Sequence, residues 1–200
     1  MENPTHIAGL ALILSQIGQP VLAAGGTDAD WPCIQRRTGE LSAGVMWPAP
    51  LGDAATDTEA DDLAARLALR RVSEDEAKAA VDAYATAHPG LGPDALGAIF
   101  QAAFTRIDRD RTRVLDGISR YGHKQAALAE RIDAAHAEMT ALKAVEEPDF
   151  DRMDALEEQI DWDERIYKDR ERALTYVCET PVLLEKRAYS VAQMLLRHLP

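Results

Sequence analysis

An all-α fold is what this sequence predicts: a helical bundle with a long antiparallel, coiled-coil-like hairpin and an irregular N-terminal segment tethered by a disulfide. Three observations predict it. The chain is rich in alanine, leucine, glutamate and arginine, with few β-branched runs and only 6% aromatic residues, which is helix-former composition. Apolar residues recur at alternating steps of three and four over two long stretches. Cap and breaker residues stand where those stretches begin and end.

The chain opens on Ile7 to Leu22, sixteen residues without a charge. The run is short and broken by Ser15, Gln16, Gln19 and Pro20, so it spans a bilayer poorly. Small residues follow at Ala23-Ala24-Gly25-Gly26. An apolar stretch, a helix breaker and a small-residue site are the layout of a secretory signal peptide over 1–24, cleaved after Ala23 or Ala24. The competing reading is an N-terminal helix of the fold, because the leader carries Glu2 and no Lys or Arg.

Residues 25–56 read as irregular and extended, with Trp31-Pro32-Cys33 and Trp47-Pro48-Ala49-Pro50. The tryptophans are expected to dock onto the helical body, since each buries a large apolar area. The two cysteines, Cys33 and Cys178, form neither a Cys-x-x-Cys pair nor a zinc knuckle. In an oxidising compartment they are most simply one structural disulfide. Closing a loop of about 145 residues contributes about 4–5 kcal/mol at best. Two reduced, buried thiols are the alternative.

The helical domain is expected over 57–200. A first helix runs from Thr58 to Arg71. Ser73-Glu74-Asp75-Glu76 is a capping box that starts a second helix, ended at His88 by Pro89-Gly90. The hairpin spans about 94–178. From Ile107 the positions Arg111, Val114, Ile118, Tyr121, Gln125, Leu128, Ile132, Ala135, Met139 and Leu142 form a seam in which nine of eleven are apolar or aromatic. Gly122 is a point where the helix could kink. A turn at Glu146 to Asp149 precedes the second seam: Met153, Leu156, Ile160, Asp163, Tyr167, Arg170, Leu174 and Val177. Folded antiparallel, residues whose numbers sum to about 295 face one another, so Leu128 meets Tyr167 and Gln125 meets Arg170. The Gln125–Arg170 polar pair would set the register at some cost in stability. Thr180-Pro181 reads as the cap and first residue of a separate C-terminal helix over 181–199. Its stripe of Leu184, Ala188, Val191 and Leu195 packs near Ile107 to Ile118.

Function is approached by exclusion. A net charge of −12 and pI near 4.8 repel phosphate backbones and anionic lipids, so nucleic acid is not an expected partner. No stable membrane span remains after cleavage. Glu130, Asp133 and His136 share a helical face, but a di-iron bundle needs a second Glu-x-x-His half-site, and Met153 to Val177 contains no histidine. A Gly-x-Ser-x-Gly elbow, a phosphate loop and a haem motif are absent from the sequence. No catalytic, cofactor-binding or metal-binding residues are therefore assigned. Ten acids against one base, Arg152, lie between Glu146 and Glu164, and a run of this kind on a long helix is usually a solvated face. The basic run Arg106, Arg109, Arg111 and Arg113 is read as a source of same-helix and inter-helix ion pairs.

The expectation is a non-catalytic exported accessory or protein-interaction protein, periplasmic or secreted, presenting a helical arm. Its partner would be a protein of the cell envelope, or a second copy through the helices. The candidate patch is Phe150, Met153, Glu157, Glu158 and Asp161 near the arm tip. The alternative is a helical-bundle sensor or carrier for a small ligand or metal. That reading places an apolar cavity among Tyr121, Tyr167 and Trp162, with Arg170 as anion anchor.

Overall fold

The computed structural model describes residues 31–51 and 55–200. The expected signal segment and its cleavage site lie outside them. Five helices follow in order: α1 Ala43–Met46, α2 Thr58–Ala68, α3 Glu74–Ala87, α4 Pro93–Lys143 and α5 Phe150–Leu196. No strand occurs among the described residues, and no described helix is long and apolar enough to cross a membrane.

Local chemistry sets the boundaries. Asp57 caps α2 by accepting from the Ala60 N–H at 2.8 Å, and the helix stops at Ala68, short of Arg71. Ser73 and Glu76 form the reciprocal capping box of α3. Beyond α3 the chain turns through Gly90, whose φ of 94° suits a residue without a Cβ. Pro93 begins α4, where its missing N–H costs nothing.

The core sits at one end of the molecule. Leu63 and Leu67 of α2, Val81 of α3, Phe100, Phe104 and Ile107 of α4, and Leu184, Ala188, Val191 and Leu195 of α5 form one buried cluster. Trp47 closes it, 2% exposed and stacked on Phe100 with ring centroids 5.1 Å apart. The docked reading of that tryptophan holds. From this head α4 and α5 run on as an antiparallel pair, and α4 alone is roughly 75 Å long at 1.5 Å per residue.

All eleven positions of the α4 seam are buried or half-buried. The helix passes unbroken through Gly122, itself buried on the seam. Contacts across the pair follow the expected register. Arg111 meets Glu185, Gln125 meets Tyr167, and Arg131 meets Asp163.

Two expectations need correction. The chain does not restart at Thr180-Pro181, because α5 is continuous to Leu196 with Pro181 inside it. Proline there leaves the Val177 carbonyl without its usual donor and costs about 3 kcal/mol. Pro181, Leu184 and Ala188 are nevertheless buried, and a break would carry this stripe away from α4. Burying each large aliphatic side chain is worth about 1.5–3 kcal/mol, so continuity wins. Val177 is also off the seam, at 44% exposed, and Cys178 takes its place at 4%. A step of four after Leu174 is what turns the thiol toward Cys33.

Candidate functional site

The N-terminal strap, residues 31–51, is held along the head and the base of the arm at three points. Cys33 and Cys178 are at disulfide distance, with Cα atoms 5.6 Å apart. Trp47 is sunk in the head. Between them Arg111, only 2% exposed in its side chain, donates from Nη1 to the Gly39 carbonyl at 3.0 Å. Its Nη2 donates to the Thr38 carbonyl at 3.0 Å and to Thr38 Oγ1, and its Nε donates to Glu185 at 2.9 Å. Thr38 Oγ1 in turn donates to Glu185 at 3.0 Å, closing a ring. A buried guanidinium is tolerated because its donors are met by a carboxylate and by carbonyls. In the sequence Arg111 showed only as a polar break in the seam and as one of a basic run. That run does make ion pairs: Arg106 to Asp61 of α2 at 2.7 Å, and Arg113 to Asp110 of its own helix at 3.2 Å.

Polar seam residues in the arm bond mainly to backbone rather than to each other. Gln125 Nε2 donates to the Tyr167 carbonyl at 3.2 Å, and the Tyr121 hydroxyl donates to the Arg170 carbonyl at 3.2 Å. The Gln125 amide of α4 thus reaches the Tyr167 backbone of α5, and it is Tyr121 that bonds to the backbone at Arg170. Asp163 is the one buried acid of the seam, and Arg131 clamps both its oxygens at 2.8 Å. That hydrogen bond holds the Arg131 pKa above its ordinary value.

The distal arm has a small core of its own, Ala135, Met139, Leu156 and Ile160, flanked by Leu142 and Met153. Asp149 caps α5 by accepting from the Arg152 N–H at 3.0 Å, and Arg152 donates twice to Glu138 across the pair. Phe150 is 68% exposed, Met153 is half-buried against the small core, and Glu157, Glu158 and Asp161 are exposed. The candidate patch is therefore divided: Met153 packs inward while the other four residues face solvent.

Sequence reasoning missed the most prominent member of this surface. Trp162 is 60% exposed on the outer face of α5, in a groove lined by Asp154, Glu157, Glu158, Asp161 and Arg165. It does not join Tyr121 and Tyr167 around an inner cavity, because it lies about one-third of a turn from the seam. The signal that could have found it is its place outside the inner three-four pattern.

His136 lies 3.1 Å from Glu164. Hydrogen bonds from Lys168, first, and from His136 hold the Glu164 carboxyl below its ordinary value. Among the described residues no three His, Cys, Asp or Glu side chains are placed to hold a metal ion.

No known family, curated protein or solved structure matches this chain.

Proposed function

We propose that the protein is a non-catalytic accessory protein of the cell envelope that uses its helical arm to bind a protein partner. The observation that carries this reading is the distal arm. It has an independent small core that keeps it stiff, and it offers exposed Phe150 and Trp162 among carboxylates that make no ion pair among the described residues. Aromatic residues are enriched at interaction surfaces relative to the rest of a protein surface. The envelope assignment is supported by the cysteine pair at bonding distance and by the uncharged Ile7–Leu22 run followed by small residues.

The test is affinity capture from an envelope extract, using the full chain and a triple variant, Glu157→Lys, Glu158→Lys and Asp161→Lys. These positions are exposed, so the helices should remain intact by circular dichroism. Loss of a reproducible partner is expected. An unchanged set of captured proteins would sink the reading.

A further inference from the structure

Three of the six exposed large apolar side chains of α5 share one stripe. Trp162, Tyr176 and Leu183 are 60%, 78% and 43% exposed. Together with half-buried Ile166 and exposed Ala173 they occupy alternating steps of four and three, with Asp169 and Thr180 as the polar breaks. That is the spacing of a helix-pairing seam. At 100° per residue it lies roughly 120° around α5 from the seam that meets α4. No described element of this chain covers it.

Charge decides what could cover it. At the distal end of the stripe Asp154, Glu157, Glu158 and Asp161 line the groove beside Trp162, with Arg165 as the one base. None of the four acids has an ion-pair partner among the described residues. Of the cations farther along, Lys168 is held by Glu164 and Arg172 by Asp169 of the same helix. A second copy of this chain would bring another −12 against that groove, and like charges across an interface are costly. A cationic helix would meet complementary charge, and its Lys or Arg side chains could sit over the Trp162 ring.

We propose that the outer stripe of α5 is the docking face for a basic amphipathic helix of a partner protein. Its apolar edge packs on Trp162, Ile166, Ala173 and Tyr176, and its flanking Lys and Arg residues face Asp154, Glu157, Glu158 and Asp161. The groove and stripe from Asp154 to Tyr176 accommodate a partner helix of about 20 residues. This inference rests on the arm being a docking element and adds which face is used and the partner's chemistry.

The test is titration calorimetry of the full, oxidised chain with two synthetic 21-residue peptides. Both carry leucine at three-four spacing; one has lysine at the flanking positions and the other glutamate. The lysine peptide is expected to bind and to weaken as salt is raised, while the glutamate peptide does not bind. Trp162→Ala with Tyr176→Ala should weaken binding at least tenfold, and Tyr189→Ala, at a residue 55% exposed on another face of α5, should leave it unchanged. Both stripe residues are exposed, so helicity is expected to survive their replacement. Absence of lysine-peptide binding, or equal binding to the double variant, overturns the proposal. So does a dimer of the free chain, seen by sedimentation, that dissociates on Trp162→Glu, because the face would then belong to a second copy. If envelope capture is lost in the charge-reversal triple but kept in the Trp162/Tyr176 double variant, the arm still binds and this face is wrong. Peptide binding intact beside an unchanged capture set fails the functional reading alone.

Discussion

Replacing Arg111 by methionine tests how the strap is fastened. The guanidinium is nearly inaccessible, 2% exposed in its side chain, and Glu185 opposite it is 26% exposed. Removing one partner of a buried ion pair costs about 3–5 kcal/mol, because the other charge is left uncompensated. Glu185 keeps its bond from Thr38 Oγ1 and part of its water, and the exposed Thr38 and Gly39 can rehydrate their carbonyls. The loss should therefore fall at the low end, about 3 kcal/mol, or roughly 6–12 °C in Tm for a domain of this size. Urea denaturation of the oxidised protein, followed by far-ultraviolet circular dichroism, measures it. The companion variants Glu185→Leu and Arg111→Met/Glu185→Leu complete a double-mutant cycle. The double variant should recover about 1–3 kcal/mol relative to the sum of the single changes, because no orphaned charge remains. An Arg111→Met protein within about 1 kcal/mol of the parent, or strictly additive single changes, would refute the idea that this pair clamps the strap.

Three further outcomes are expected. Replacing both cysteines by serine should lower stability by up to about 4–5 kcal/mol, since the bridge closes a 145-residue separation; reducing agent should lower the urea midpoint of the parent and not that of the variant. Pro181→Ala returns an N–H donor to the Val177 carbonyl and removes a penalty of about 3 kcal/mol, less the buried ring it gives up. A net gain of about 1–2 kcal/mol in thermal denaturation is expected, and a loss would mean that the ring itself is needed there. Folding lowers the Glu164 pKa, so its contribution is complete above the unfolded value of 4.5 and drains away as pH falls through the lowered folded value. Stability measured from pH 7 to pH 3 should fall less steeply at the acid end for Glu164→Gln, and added salt should shrink the difference.

Much of this architecture was legible because helix pairing is a periodic signal. The α4 seam from Ile107 to Leu142 could be written from spacing alone, and so could the turn before Phe150 and the register that brings Arg131 to Asp163. Caps such as Ser73 with Glu76 are equally local, since donor and acceptor lie three residues apart. The two cysteines could be paired because no other pairing exists.

Other features were settled only when distant segments met. Pro181 carries a local stop signal, and it is overruled because the stripe beyond it already lies in register on α4. Arg111 reads as a flaw in a heptad until the strap supplies two carbonyls and α5 supplies Glu185. Trp162 reads as cavity lining in the sensor or carrier alternative, yet its angle around α5 puts it outside. Spacing along one helix fixes which residues share a face; whether a face is covered depends on what the rest of the chain brings to it, and that is a property of the packed structure.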